Sequence, residues 1–167
     1  MAVLGLDTSN YTTSAAIWDR GEIIQSRHLL PVEQGKRGLR QSDAVFLHTR
    51  QLSEVVSGLG TQKELSAVGV SVAPRDVEGS YMPCFLVGKA FGESLASLFG
   101  IPCYAFSHQA GHIAAAIWSA GRMDLIEKEF LAFHVSGGTF EVLHVSPGRD
   151  RFFQIDSVAD TSDLTAG

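Results

Sequence analysis

The chain begins with three short segments whose apolar residues are spaced as in β-strands. Residues 2–7 and 12–19 are apolar runs, and residues 22–30 alternate between apolar and polar positions after the turn formed by residues 19–21. Segments of four to eight residues bounded by Gly, Asp, Ser and Asn are typical of strands joined by turns. The pattern therefore predicts a three-stranded antiparallel meander.

Helical spacing begins after residue 42. Val45, Leu52 and Val55 fall on one face of a predicted helix over 43–58, for which Ser42 is a suitable N-cap, and His48 is expected to be half-buried near that face. Residues 66–73 are apolar on both faces, which is typical of a strand in a parallel sheet. Further periodicity predicts a helix over 83–99, a strand over 101–106 and a helix over 108–119.

The predicted helix over 83–99 combines an apolar stripe with two glycines four residues apart, Gly88 and Gly92. The stripe consists of Val87, Phe91, Leu95 and Leu98. A glycine costs a helix about 1 kcal/mol relative to alanine, so the pair indicates that another backbone approaches this face closely.

The strand–turn–strand plan returns after residue 130. Residues 131–135, 140–145 and 151–158 predict a second meander, but no helices follow to cover it. We therefore expect a complete first lobe over 1–122 and the opening strands of a truncated second lobe over 130–167. The alternative is that residues 130–158 extend the first sheet. Uncovered strands favour self-association, so we expect them to pair with another copy.

Composition narrows the class of protein. The chain has 167 residues, is 45% hydrophobic and carries a net charge of -5, which suits a globular core and argues against a generally basic nucleic-acid binder. Cys84 and Cys103 form no CxxC pair and are expected to be reduced thiols. With neither a leader nor a membrane-length apolar run, we expect a cytoplasmic protein without a membrane partner.

Three groups of residues are candidates for chemistry. The first turn offers Asp7, Thr8 and Ser9, and the second offers Ser136, Gly137, Gly138 and Thr139, whose hydroxyl and N–H groups are suited to phosphate oxygens. His108 and His112 lie four residues apart, so one helix face presents both to a metal ion. The alternatives are ordinary turns in the first two cases and surface histidines in the third.

These motifs, in this order, resemble one family. The segments GLDTS at 5–9, HQAGH at 108–112 and VSGGT at 135–139 are similar to motifs of the TsaD/Gcp family, long labelled O-sialoglycoprotein endopeptidase or glycoprotease. The resemblance covers nearly the whole chain but only the N-terminal half of the family. It implies an α/β fold with a ribonuclease H-like, actin-type lobe, in which the meander continues into parallel strands with helices, followed by the first meander of a second lobe.

The resemblance also implies a function. Members transfer a threonylcarbamoyl group to tRNA adenosine, so the full-length protein is expected to bind ATP or an acyl-adenylate at Asp7, Thr8, Ser9 and residues 136–139. A divalent metal, Fe or Zn, is expected on His108 and His112, with tRNA and a TsaB-type protein as partners. The third family ligand, an aspartate, lies outside this chain, so this fragment is expected to be inactive alone.

Two departures favour a divergent paralogue. The family commonly has histidine where Thr139 stands, and Asn10 and Tyr11 replace a cysteine and an aspartate of its first turn. One alternative is a catalytically inactive scaffold that pairs with a TsaB-type partner through the face of Gly88 and Gly92. A further alternative is a metal-dependent glycoprotease, although the chain has no HExxH motif.

Overall fold

The computed structural model describes residues 1–32, 38–60, 63–135, 140–149 and 151–160. The described chain forms two compact units, Met1–His108 and Gln109–Gly167, so the division falls after the first residue of the helix predicted over 108–119. The sequence pattern had placed the two lobes at 1–122 and 130–167.

The first unit contains a five-stranded sheet with the spatial order β3-β2-β1-β4-β5. β1 pairs antiparallel with β2 and parallel with β4, and β5 continues the parallel part. The predicted meander with added parallel strands is thereby confirmed. The strands are β1 Ala2–Asp7, β2 Thr12–Asp19, β3 Glu22–Leu29, β4 Leu65–Ala73 and β5 Cys103–Ser107.

Two helices, α1 Gln41–Ser57 and α2 Phe85–Phe99, pack on this sheet. Their apolar residues join one face of β1, β2 and β4 in a single core, which includes Leu4, Leu6, Val55 and Val68. Ser42 is not the N-cap of α1, because it lies inside the helix, which begins at Gln41. Arg40 occupies the N-cap position and makes no side-chain capping hydrogen bond. Consecutive polar residues at 40–43 left that boundary undetermined by pattern alone.

Three residues of the predicted stripe on α2, Val87, Phe91 and Leu95, are partly buried against the core, but the fully buried positions of the helix are different ones. Phe85, Gly88, Gly92 and Ala96 are buried, whereas Leu98 is 79% exposed. A β-carbon on Gly88 would lie 3.0 Å from Thr8 Oγ1, and one on Gly92 would lie 3.3 Å from a methyl group of Val68. The absence of side chains at both glycines thus lets α2 pack closely against the five-stranded sheet, in agreement with the close backbone approach predicted for this face. The suggestion that they form a face for a TsaB-type partner is wrong, because the sheet covers them.

The second unit contains most of α3, His108–Ser119, a 3-10 helix over Met123–Glu127 and a separate antiparallel sheet with the order β6-β7-β8. The alternative that these strands extend the first sheet is therefore wrong. Ile113 and Ile117 of α3 pack in a core with residues of β7 and β8, such as Leu143 and Ile155. The strands are β6 Phe130–Val135, β7 Phe140–Pro147 and β8 Phe153–Asp160.

β6 presents apolar side chains to solvent on one face. Leu131, Phe133 and Val135 alternate along the strand and are each more than half exposed. The expected pairing of these strands with another copy stays a prediction. No helix in the described part of the chain is long and apolar enough to cross a membrane.

Candidate functional site

The first turn is built around the carboxylate of Asp7, the last residue of β1. One carboxylate oxygen accepts a hydrogen bond from the backbone N–H of Ser9 at 2.8 Å, an arrangement typical of Asp in turns. Asn10 adopts a positive φ of 48°, a conformation that Asn tolerates better than most residues. The turn therefore holds the Asp7 side chain in a fixed direction at the carboxyl end of β1.

The second oxygen of Asp7 contacts His108 at the start of α3. Its Oδ2 lies 2.8 Å from His108 Nδ1, and His108 Nε2 lies 3.5 Å from Ser9 Oγ. Burial alone would raise the pKa of Asp7. The hydrogen bond and charge of His108, with hydrogen bonds from Ser71 and Ser9, outweigh that effect and hold the pKa well below its usual value. The site thus contains an ionised carboxylate paired with an imidazole.

Thr8 faces the interior rather than the turn surface. Its side chain is fully buried, and its hydroxyl donates to the carbonyl of Cys84 at 2.9 Å and accepts from the N–H of Gly88 at 3.1 Å. These bonds connect the first turn to the beginning of α2. Of the predicted nucleotide residues in this turn, Asp7 and Ser9 are therefore grouped with His108, while the hydroxyl of Thr8 stabilises helix packing.

Below the turn lies a buried network that sequence reasoning missed. Gln51 donates to the carbonyl of Leu29 at 3.2 Å, which directs its Oε1 toward the Thr13 hydroxyl at 3.0 Å. Thr13 Oγ1 must then accept from His48 Nδ1, 2.8 Å away. His48 is completely buried rather than half-buried, and among the described residues its Nε2 has no hydrogen-bond partner.

This burial sets the protonation state of His48. Loss of hydration lowers its pKa, and the Asn10 backbone and the charge of Asp7 oppose that effect only in part. At neutral pH the ring is therefore neutral with the proton on Nδ1. The sequence offered one usable signal, a histidine on the apolar face of α1, but no indication of its partner in β2.

The second predicted turn, Ser136, Gly137, Gly138 and Thr139, lies outside the described residues. The strands that flank it are described. His134 in β6 is the cross-strand neighbour of Glu141 in β7, and His134 Nδ1 lies 3.0 Å from Glu141 Oε2. Glu141 is 2% exposed, and Gln109 donates to the same oxygen at 3.5 Å.

His112 contacts this same group of residues. Its ring lies beside that of His134, with a centroid separation of 5.7 Å and an interplanar angle of 34°. Sequence reasoning identified His112 but missed His134 and Glu141. The sequence signal that could have identified these two residues is their position, because each lies two residues outside the predicted second turn.

The assignment of His108 and His112 as metal ligands stays a prediction. His108 and His112 lie four residues apart on α3. The Asp7 carboxylate contacts Nδ1 of His108, so Nε2 is the ring nitrogen on the side away from Asp7. Across the described ranges, no three His, Cys, Asp or Glu side chains are grouped closely enough to hold an ion together.

Comparison with known proteins places this geometry in context. No protein-family model matches the sequence. The tRNA N6-adenosine threonylcarbamoyltransferase of Salinibacter ruber is 32% identical over 176 residues, covering all of this chain and 48% of that protein. A probable bifunctional tRNA threonylcarbamoyladenosine biosynthesis protein of Methanoculleus marisnigri is 27% identical over 166 residues, covering 99% of this chain and 28% of its own length.

Among solved structures, YeaZ from Pseudomonas aeruginosa superposes with a TM-score of 0.57 at 17% identity, over 96% of this chain and 66% of YeaZ. This similarity confirms the predicted actin-like α/β fold. A relative at 26% identity, the threonylcarbamoyltransferase of Chlorobium phaeobacteroides, again matches all of this chain with 47% of its own length. The chain is thus a sequence relative of the TsaD/Gcp family of tRNA N6-adenosine threonylcarbamoyltransferases, and it spans about half the length of the curated relatives it matches.

Proposed function

We propose that this chain takes part in transferring a threonylcarbamoyl group to adenosine in tRNA. The observation that carries the proposal is the Asp7–His108 contact of 2.8 Å. It brings together two of the motifs on which the family resemblance rests, although they are 101 residues apart in the sequence. The relatives named as threonylcarbamoyltransferases match the chain from end to end, which supports the same assignment.

In this proposal the first turn binds the phosphate side of ATP or of an acyl-adenylate. The hydroxyl of Ser9 lies beside His108, and the Asp7 carboxylate contacts both the backbone N–H of Ser9 and the ring of His108. The carboxylate itself repels phosphate, so its contribution is to orient the donors around it. Asp7 fixes the His108 ring, and the Ser9 hydroxyl offers a hydrogen bond to an incoming anion.

His108 and His112 are the residues that would hold the divalent metal, Fe or Zn. When bound, such an ion supplies positive charge that polarises a carbonyl or phosphoryl oxygen. His108 presents its Nε2 for this purpose because Asp7 occupies Nδ1.

The proposal can be tested in cells depleted of their own tRNA threonylcarbamoyltransferase. The full-length protein that contains this chain is expressed there, and N6-threonylcarbamoyladenosine in digested tRNA is measured by liquid chromatography and mass spectrometry. We expect the modified nucleoside to be restored by the wild type and lost with His108→Ala. His28→Ala is the matched control, because His28 is an exposed histidine of the same unit that pairs with Glu54 at 3.7 Å.

Two results would refute the proposal. The first is absence of the modified nucleoside with a folded, full-length wild-type protein, which would favour the inactive scaffold. The second is equal restoration by the wild type and His108→Ala, which would show that the Asp7–His108 pair is not part of the reaction.

A further inference from the structure

The loop that follows β4 contacts the end of β5. Asp76 lies in this loop and is partly buried, and its Oδ2 accepts a hydrogen bond from Ser107 Oγ at 2.8 Å. Ser107 is fully buried and immediately precedes His108, the first residue of α3. The carboxylate of Asp76 therefore holds the residue next to the histidine that contacts Asp7.

The strand order brings these residues together. β1, β4 and β5 are adjacent and parallel, so their carboxyl ends meet at one edge of the sheet. Asp7 ends β1, Ser107 ends β5, and the loop with Asp76 follows β4, which lies between them. The pairing of β4 with β5 shifts between Ser71 and Ala73, which places Ala73 opposite Ser107. Such a bulge redirects the end of a strand and is common next to functional sites.

Hydrogen bonds within the loop hold Asp76 in place. The Ser80 hydroxyl accepts from the N–H of Arg75 at 3.0 Å, and the N–H of Ser80 donates to the carbonyl of Val77 at 3.1 Å. Asp76 thus lies inside a short segment that its own hydrogen bonds close. The direction of its carboxylate toward Ser107 is set by the fold of this segment.

Two carboxylates consequently hold two consecutive residues. Asp7 contacts the ring of His108 at Nδ1, and Asp76 accepts from the side chain of Ser107. The first contact fixes the rotation of the ring, while the second fixes the point at which the chain leaves β5 and enters α3. Since Ser107 is fully buried, water cannot readily replace the acceptor that Asp76 provides.

We propose that Asp76 is a positioning residue for the transfer reaction, acting through Ser107 on His108. The inference rests on the function proposed above, in which His108 belongs to the reacting site. A misplacement of about 1 Å at a reacting centre can lower the rate about 100-fold, even when the substituted residue is remote from the chemistry. A hydrogen bond that sets the position of the first residue of α3 is therefore expected to affect the rate.

The first experiment measures kcat and KM with the full-length protein that contains this chain. Threonylcarbamoyl adenylate is the donor, unmodified tRNA is the acceptor, and the modified nucleoside is quantified by mass spectrometry. We expect Asp76→Ala to lower kcat by about 10- to 100-fold with little change in KM. Asp76→Asn should recover most of this loss, because its amide oxygen can still accept from Ser107. Glu78→Ala is the matched control, since Glu78 is an exposed carboxylate of the same loop, and it should leave both constants unchanged.

Ser107→Ala tests the route of the effect. It removes the donor and leaves the carboxylate of Asp76 in place. Because the two side chains act as one unit in this proposal, Ser107→Ala should lower kcat as Asp76→Ala does, and the double variant should be no slower than either single variant. Additive losses would overturn the route through Ser107.

The ring of His108 gives a second readout that does not require the reaction. In the chain labelled with ¹⁵N at histidine, long-range ¹H–¹⁵N spectra show the ring nitrogens, and His108→Ala identifies the signals of His108. We expect Asp76→Ala to shift these signals and Glu78→Ala to leave them unchanged. A merely structural contact would lower the melting temperature without moving the His108 signals of the folded protein.

Circular dichroism shows whether each variant is folded before it is measured, and Ser107→Ala replaces Asp76→Ala where the latter is unfolded. Wild-type kcat in folded Asp76→Ala overturns the proposal, as do unchanged His108 signals in that variant. Failure of the proposed function is a different result, because the wild type itself would then form no modified nucleoside. The His108 spectra would still show whether Asp76 sets the position of the ring.

Discussion

The buried network of Thr13, His48 and Gln51 makes a specific prediction about stability. Thr13→Val keeps the shape of the side chain but removes the oxygen that accepts from His48 Nδ1 at 2.8 Å. Thr13 and His48 are both fully buried, so water cannot replace this oxygen. His48 Nε2 already lacks a hydrogen-bond partner among the described residues. The substitution would also remove the partner of Nδ1.

The expected cost follows from the desolvation of one buried donor, which is about 1–3 kcal/mol. Gln51 is only partly buried and can bond to water instead, so it adds little. For a chain of this size, about 2 kcal/mol corresponds to a fall in Tm of roughly 4 to 8 °C. Burial lowers the pKa of His48, so a measurement at pH 8 compares proteins in which the ring is neutral.

Chemical and thermal unfolding, followed by circular dichroism, measure this effect. Thr12→Val is the control, because it makes the same change one residue earlier on β2, where the side chain is only partly buried. We expect it to change the free energy of unfolding by less than about 0.5 kcal/mol. In the double variant Thr13→Val/His48→Leu both polar partners are gone, so part of the lost stability should return. Equal unfolding free energies for Thr13→Val and Thr12→Val would refute the argument.

Gly88→Ala and Asp7→Asn test the packing and the electrostatics of the first unit, and Gly111→Ala in the second unit is the control for the first of them. Gly88→Ala places a β-carbon 3.0 Å from the hydrogen-bonded hydroxyl of Thr8 and should lower the free energy of unfolding by about 1–3 kcal/mol. A β-carbon on Gly111 has no atom within 4 Å, so Gly111→Ala should raise the free energy of unfolding by up to about 1 kcal/mol. Denaturant unfolding measures both effects, and a stabilising Gly88→Ala would contradict the close contact with Thr8. Because the pKa of Asp7 is lowered in the folded protein, its ionised form adds stability that is fully present above the unfolded pKa of about 3.9 and is lost as the pH falls toward the lowered value. The stability difference between the wild type and Asp7→Asn should therefore be present at pH 5 and shrink below about pH 4, and an equal difference at pH 5 and pH 2 would contradict the shift.

The parts of the fold that were predictable from sequence are those set by local periodicity. The meanders of both units were found because alternation and turn residues recur within 10 residues of one another. The buried face of α2 was found only in part. Val87, Phe91 and Leu95 pack against the core as predicted, but the fully buried positions include Gly88 and Gly92, which contact the sheet without a side chain. Hydrophobic spacing identifies side chains that can be buried, but it does not identify positions where the absence of a side chain allows close packing.

The candidate site shows the same division. Asp7 and His108 were each identifiable from motifs, but their contact joins residues 101 positions apart and follows only from the parallel order of β1, β4 and β5. His48 was expected to be only half-buried and Glu141 was missed, since each is stabilised in the interior by a partner on another element. A hydrogen bond between side chains on two separate elements produces no periodic pattern in the sequence.

The central position of β1 has a consequence for synthesis of the chain. One edge of β1 pairs with β2, which follows it directly, while the other waits for β4, where Leu4 lies opposite Val68 and Leu6 opposite Val70. At translation rates of about 5–20 residues per second, the segment between Asp7 and Leu65 takes roughly 3 to 12 s to emerge. During that time β1 has one unpaired backbone edge and exposed apolar side chains. We therefore expect the nascent first hairpin to be bound by ribosome-associated chaperones until β4 has been synthesised.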